Sequence, residues 1–286
     1  MKKLLTIAVA AAVIAVATSS GTAAQTAAAP CGTKSTTTYT HVVVVVMENH
    51  SLSSIIGKSA APYINSLANQ CGLATNYFGI THPSLPNYLS MTGGTTAGVT
   101  DDKAPSAHKL TNASIFSQVS GWRAYAESMP SNCYLSNSGT YIVHRNPAAY
   151  YTGIRSSCQA QDVPLPSSPS FSAPYTFITP NSCHDMSTCS TTAGDSWLKS
   201  FVPKILASRE YQSGSLVLFL TWDEGGGRTG TNIVPLIVVG PTVPAGLKVS
   251  TNSNHYGLLR TTEDILGKPC LANACTAASL RGAFHL

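Results

Sequence analysis

The chain has 286 residues, of which 10% are charged, against roughly 25% in an average soluble domain, while 43% are hydrophobic. That length supports one large domain with a full core, and the composition excludes charge-driven disorder and coiled coils. The formal charge is +5, two of them Lys2 and Lys3, and no Lys/Arg run occurs anywhere, so no nucleic-acid partner is expected.

The first residues, MKKLLTIAVAAAVIAVATSSGTAA, combine a basic start, an apolar run from Leu4 to Ala17 and small polar residues. This is the pattern of an export signal, too short in its apolar part for the roughly 20 residues of a membrane-spanning helix. The expected division is a signal peptide at 1–24 (cleavage after Ala17 or near Ala23 both fit), a loose lead-in at 25–38, and a single domain at 39–286. A secreted protein without a stable membrane anchor follows, periplasmic if the source has an outer membrane. Eight cysteines in an exported chain point to disulfides, with 105 possible connectivities. Closeness in sequence favours Cys183–Cys189 and Cys270–Cys275, which leaves Cys31–Cys71 and Cys133–Cys158 as guesses.

Along the chain, HVVVVVM (41–47) is too β-branched for a helix and reads as a strand buried on both faces. APYINSLANQCG reads as a helix stopped by Gly72. The region 94–170, rich in Ser, Pro, Asn and Gly, reads as long loops and short elements over a sheet. YTFITP (175–180) is a weaker strand, SWLKSFVPKILASREY is helical, SLVLFL (215–220) is a strong strand, and IVPLIVVG (233–240) is a strand whose Pro235 suggests an edge or a bulge. YGLLRTTEDILG is helical. Alternating strands and helices predict an α/β fold with a largely parallel central sheet flanked by helices.

Sites in open parallel sheets form at the carboxyl ends of the strands. The first strand runs into Glu48-Asn49-His50, the 215–220 strand into Asp223-Glu224 and three glycines, and the 175–180 strand into Asn181, His184 and Asp185. Clustered carboxylates repel and call for a cation. Glu48, Asn49, Asp223 and Glu224 offer oxygen ligands, which suit a hard divalent ion such as Ca, Mg, Mn or Zn. Each pair has a bland alternative, a capped polar loop for ENH and a hairpin turn for DEGGG. In THPSLPNYLSMTGG, Pro86 favours a helix start, which leaves Ser84 either at an anion-binding helix N-terminus or as a plain cap.

HVVVVVMENHS, THPSLPNYLSMTGG, LFLTWDEGGG and NHYGLLRTTEDILG, in this order over residues 41–267, resemble the bacterial and fungal phosphoesterase family of acid phosphatases and non-specific phospholipases C, which is similar to the wider alkaline phosphatase superfamily. The resemblance implies an alkaline-phosphatase-like fold and a phosphate-ester substrate. It implies metal ligation by Glu48, Asn49, Asp223 and Glu224, and a Ser84 nucleophile within S-x-P-N, with Thr81 as runner-up. It places His255 and His82 beside the phosphate as proton donors and gives substrate contacts to His184, Asp185 and Arg145. The chain departs from the family where Asn-Asp-x-His becomes Cys183-His184-Asp185-Met186-Ser187 and where Lys-His-Asn-Pro becomes His144-Arg145-Asn146-Pro147. The expected activity is that of a secreted acid-phosphatase-type phosphomonoesterase forming a phosphoseryl intermediate. The alternatives are a phospholipase C, a cation-stabilised binding module, and a sulfatase-like hydrolase, the last disfavoured because Ser84-Leu85-Pro86-Asn87-Tyr88 lacks the required Arg.

Overall fold

The structure, a computed structural model, describes Met1, residues 29–227 and residues 231–286. The expected signal peptide lies, apart from Met1, outside the described residues. The strands are β1 (His41–Met47), β2 (Gly72–Ala74), β3 (Tyr77–Phe78), β4 (Arg123–Ala126), β5 (Asp162–Pro164), β6 (Tyr175–Thr179), β7 (Leu216–Trp222), β8 (Leu236–Val239), β9 (Lys248–Val249) and β10 (Ser253–Asn254). The α-helices are α1 (Leu52–Ile55), α2 (Pro62–Gln70), α3 (Ser84–Gly93), α4 (Ile115–Gln118), α5 (Arg155–Gln161), α6 (Thr191–Leu206), α7 (Arg209–Ser213), α8 (His255–Leu266) and α9 (Arg281–Phe284).

Eight strands form one sheet in the order β5-β4-β6-β1-β7-β8-β2-β9, and β3 pairs with β10. The pairings β4–β5, β4–β6, β1–β6, β1–β7 and β2–β9 are parallel, and β8 runs antiparallel to β7 and β2. The fold is therefore α/β with a largely parallel sheet. Val42 to Met47 and all of β7 are buried, as a strand covered by helices on both faces requires.

Four details differ from the sequence reading. Gly72 does not stop α2; the helix ends at Gln70 and Gly72 opens β2, where a Cβ would meet the Phe284 ring at 2.7 Å. Pro235 marks neither an edge nor a bulge: β8 starts after it, inside the sheet, and the Pro235 carbonyl accepts from Thr221 Oγ1 at 2.9 Å. Region 94–170 does not only lie over the sheet but supplies two of its strands, β4 and β5. The 175–180 strand is no minor element, because β6 pairs with both β1 and β4.

The cysteines are joined as Cys183–Cys189 and Cys270–Cys275, the two pairs that closeness in sequence favoured, and as Cys31–Cys71 and Cys133–Cys158, the two left as guesses. Cys31–Cys71 pins the irregular lead-in to the end of α2, helped by Lys34 N donating to the Pro241 carbonyl at 2.9 Å. Among the described residues no helix is long and apolar enough to cross a membrane.

Candidate active site

The two central strands carry the site. Met47 pairs with Trp222, so the next residues, Glu48 and Asp223, emerge side by side, with Asp223 N donating to the Met47 carbonyl at 3.0 Å. The neighbouring β6 strand leads to Asp185, whose carbonyl accepts from Glu48 N at 3.0 Å. Asn49 turns the chain out of β1 with φ 56°, a left-handed conformation that Asn tolerates better than most residues. Its backbone N–H donates to Asp223 Oδ1 at 2.9 Å and its Nδ2 to Glu48 Oε2 at 2.8 Å, leaving its amide oxygen as the atom it can offer a cation.

Helix α3 delivers Ser84. Pro83 is its N-cap and Ser84 its first residue, so the hydroxyl is not used as a cap. Ser84 Oγ donates to Glu48 Oε2 at 3.1 Å and lies close enough to Asp223 to favour that residue's ionised form. Tyr88, one turn further along the same helix face, donates its hydroxyl to Glu48 Oε1 at 2.6 Å. Leu85 N, in the first turn, donates to Asp102 Oδ1 at 2.8 Å, where sequence alone left room for an anion.

Asn87 ties the approach loop together. Its Oδ1 accepts from the backbone of Ile80 (2.8 Å) and Thr81 (3.1 Å), and its Nδ2 donates to Thr81 O, Pro83 O and, at 3.2 Å, Glu224 Oε2. Within this loop, which contains a cis His82–Pro83 peptide, His82 Nδ1 sits 3.1 Å from Glu224 Oε2. The Thr81 hydroxyl turns to its own chain, donating to the His82 carbonyl at 3.3 Å. His82, Pro83, Thr100, Asp101 and Asp102 line a cleft of about 340 Å³ at the mouth of the site. Gly79 is required by close approach, since a Cβ there would meet the Asp223 carbonyl at 2.8 Å.

Glu48 and Asp223 are fully buried and Glu224 is 6% exposed. Burial raises the pKa of Glu48, with Arg145 opposing the rise. Asp223 is pushed well above the usual carboxylate range by burial and by the charges of Glu48 and Glu224, and its Oδ2 is buried without a hydrogen-bond partner. Arg145 lies between Glu48 Oε1, 3.4 Å from its Nε, and Asp185 Oδ2, to which its guanidinium donates.

Of the other expected site residues, His255 meets the site through the Asp223 backbone and His184 lies beside Glu127. His255 is the first residue of α8, fully buried; its Nδ1 pairs with the Tyr77 hydroxyl at 2.8 Å and its Nε2 with the Asp223 carbonyl. Burial lowers its pKa to about 4. His184 points away from Glu48: its Nδ1 pairs with Glu127 at 2.8 Å and its ring stacks on Trp197. Among the described residues one trio of His, Cys, Asp or Glu side chains brings its ligating atoms within 4.8 Å of one another, Cys133, Cys158 and Asp162. Those cysteines share a disulfide and offer no thiolate, so the trio is not a metal centre.

Tyr88 and Asp102 were not singled out from the sequence, and Asn87 entered only as the last residue of S-x-P-N, without a role. The helical spacing of Ser84 and Tyr88 was a usable signal for the first; for Asp102, far along an irregular loop, there was none.

The family model described as the Phosphoesterase family matches residues 58–268. The chain belongs to the phosphoesterase family. It is 31% identical over 246 residues to a phosphatidylinositol-3-phosphatase of Mycobacterium tuberculosis, covering 84% of this chain and 81% of that one. It is 30% identical over 241 residues to a phosphate-repressible acid phosphatase of Penicillium chrysogenum, covering 76% of this chain but only 57% of the fungal protein. Among solved structures, a protein in the alkaline phosphatase superfamily from Vibrio parahaemolyticus superposes with TM-score 0.56 at 11% identity over 87% of this chain and 72% of that one. A lipoteichoic acid synthase of Listeria monocytogenes does so with TM-score 0.55 at 10% identity, covering 84% and 76%. These two likenesses carry the fold, and the family carries the reaction class: this phosphoesterase is a phosphoric ester hydrolase.

Proposed function

We propose that this phosphoesterase is an exported, cation-dependent phosphomonoesterase of acid-phosphatase type, with Ser84 as nucleophile. The observation that carries the reading is the Ser84 hydroxyl held 3.1 Å from Glu48 Oε2, on the first turn of a helix and beside Asp223. A binding module would use this serine as a cap, a role that Pro83 already fills. Both names among the relatives quoted above describe phosphatases, which favours a monoester substrate over a phospholipase C reaction.

The donors fit a divalent cation. Asp223 Oδ2 has no hydrogen-bond partner, the Asn49 amide oxygen is available, and Glu48 and Glu224 add carboxylate oxygens to an oxygen-only set. When bound, the ion neutralises the carboxylates and phosphate oxygens and lowers the pKa of the hydroxyl. In the first step Ser84 Oγ bonds to phosphorus as the ester oxygen leaves, the Ser84 proton being held at Glu48 Oε2. The departing oxygen takes a proton from His82, which Glu224 orients at the cleft mouth. Water then attacks the phosphoserine with His82 accepting its proton; phosphate leaves, and the proton held at Glu48 returns to Ser84 Oγ, restoring both groups. His255, with both nitrogens engaged in the core, acts by positioning the Asp223 backbone.

Residues 1–24 serve as the export leader, 25–38 as a lead-in and 39–286 as one catalytic domain. Four disulfides suit an oxidising, extracellular destination. The test is phosphate release from an aryl phosphate compared with cleavage of a choline phospholipid, each with and without chelator, and mass-spectrometric capture of phosphoserine at Ser84. Cleavage of the phospholipid alone, or turnover indifferent to chelator, would falsify the corresponding half of the proposal.

A further inference from the structure

The helix that carries Ser84 is short of donors at its start. A helix leaves the N–H groups of its cap and its first three residues without intrahelical partners. Here those positions are Pro83, Ser84, Leu85 and Pro86, and the two prolines have no N–H. Ser84 and Leu85 remain, and Leu85 N already donates to Asp102 Oδ1 at 2.8 Å. Asp102, 17 positions further along the chain, reaches the helix from the wall of the cleft, which it lines with His82 and Pro83. Its neighbour Asp101 is paired with Lys103 at 2.8 Å and with His108. Asp102 has no such ion pair among the described residues and sets its charge against a backbone N–H and the positive end of the helix dipole. That charge extends into the site: His144, whose pKa burial lowers, feels the charges of Glu48 and Asp102 in the opposite sense.

We infer that Asp102 is a built-in rival of the phosphate, holding the Leu85 N–H while the site is empty and driving phosphate out once the ester is cut. The inference rests on the Ser84 reading above and deepens it. A phosphoryl group on Ser84 Oγ stands at the first helical position, beside the two open N–H groups that favour an anion. Asp102 competes for one of the two, and two anions drawn to one N–H repel strongly where water is excluded. The substrate meets the same conflict but has its leaving group in the cleft to hold it. The phosphoserine and free phosphate have no such anchor, so Asp102 weakens these two states more than the substrate complex. Water attack, which breaks the Oγ–P bond, then starts from a destabilised phosphoserine, and the phosphate formed is not retained. A residue that merely caps α3 needs an acceptor oxygen, whereas a rival of phosphate needs the charge.

The test separates charge from acceptor. Asp102→Asn keeps an oxygen for Leu85 N and removes the charge; Asp102→Ala removes both. Binding of inorganic phosphate to the full chain is measured by titration calorimetry, and phosphoserine present during turnover of an aryl phosphate is counted by acid quench and mass spectrometry. Both variants are expected to bind phosphate about tenfold more tightly than the wild type. Both should also accumulate phosphoserine, which the wild type carries on a minor fraction of its chains, with kcat and KM falling together. Unchanged or weaker phosphate binding by Asp102→Asn overturns the inference, and so does a wild type that is mostly phosphorylated during turnover. A defect in Asp102→Ala that Asp102→Asn restores to wild-type values makes Asp102 a cap alone and overturns it as well. If the variants do not fold, the wild-type phosphoserine fraction decides. Turnover with no phosphoserine in any of the three proteins sinks the Ser84 reading, while the calorimetry still decides whether Asp102 opposes phosphate.

Discussion

The two flanks of Glu48 are built from similar parts and behave oppositely. Toward Arg145, both oxygens of Asp185 and Oε1 of Glu48 have donors, while Arg145 Nε, 3.4 Å from Oε1, is buried without a hydrogen bond of its own. Toward Asp223, the charges of Glu48 and Glu224 act on Asp223, one of its oxygens is buried unpartnered and the Ser84 hydroxyl stands nearby, but the three carboxylates do not bring their oxygens within 4.8 Å of one another. A buried polar atom left without a partner costs roughly 1–3 kcal/mol, more when charged. What separates the flanks is the kind of orphan: a carboxylate oxygen beside Ser84 on one side, which a cation could satisfy, and a guanidinium nitrogen on the other, which it could not; the open Asp223 flank is thus the one proposed to take the ligand.

The sharpest way to break this contrast is at Ser84. Ser84→Ala is expected to lower kcat by more than about 10³-fold with the fold intact, whereas Thr81→Ala, whose hydroxyl is turned to its own backbone, should stay within several-fold. Steady-state kinetics on an aryl phosphate decide it, and the reverse result would move the nucleophile to Thr81. Next in size is the open flank's cation demand. Asp223→Asn keeps the shape but removes charge, and should cost about 10²-fold in kcat together with a measurable loss of metal affinity. An unchanged affinity would mean that Asp223 is no ligand.

The two histidines near the Asp223–Glu224 pair sharpen the comparison further. His82→Gln is expected to cost about 10² in rate, most for esters with poor leaving groups and least for activated aryl esters. His255→Gln should instead lower Tm while sparing that dependence on the leaving group, because His255 has no face toward the cleft. A His255 variant with a selective loss on poor leaving groups would restore the proton-donor role that the sequence resemblance implied.

What could be read in advance follows the same divide. Glu48 and Asp223 were legible because each follows directly on an unbroken apolar strand, and adjacent parallel strands place consecutive ends together. The S-x-P-N turn was legible through Pro86, though the cap proved to be Pro83 and not Ser84. The closed flank toward Arg145 was legible only in part: Asp185 was read at the end of the 175–180 strand and Arg145 through the resemblance, but as substrate contacts and not as partners of Glu48. Arg145 comes from a 3₁₀ turn in a loop-rich stretch without periodicity, and nothing local announces that its partners lie on β1 and beyond β6. The strands β4 and β5 were missed for a related reason: four and three residues, with Arg, Asp and Pro among them, carry too little pattern to stand out. The place of His255 came from the resemblance alone; its burial was not legible, because it depends on Asn254 capping α8, accepting from Tyr256 N at 3.0 Å, so that His255 opens the helix fully buried.

The smallest expected effect concerns two buried carboxyls outside the site, which extend the contrast from function to stability. Asp162 accepts from Asn146 Nδ2 at 2.8 Å through Oδ2, has an unpartnered Oδ1, and is pushed up to about 7 by burial. Glu263 accepts from Leu271 N at 2.9 Å, leaves Oε2 unpartnered, and is likewise pushed up to about 7 by burial. Neither has a Ser84-type hydroxyl beside it, and for Glu263 the charge of Asp264 adds to the rise, so protonation is what relieves them. Because the folded state binds these protons more tightly than the unfolded chain, their contribution is fully present below pH 4. It is lost as pH rises from about 4 to about 7, and is constant above that. For Asp162 the span corresponds to at most about 4 kcal/mol. Asp162→Asn, which mimics the protonated acid, should leave Tm nearly unchanged at pH 4.5 and raise it at pH 7.5. Glu263→Gln should do the same by a smaller amount, and the double variant should flatten the decline most. Melting curves across this range check it: a Tm that falls on substitution at pH 7.5 would mean that these carboxyls are held ionised, and the acid-side stabilisation of the fold would have to come from elsewhere.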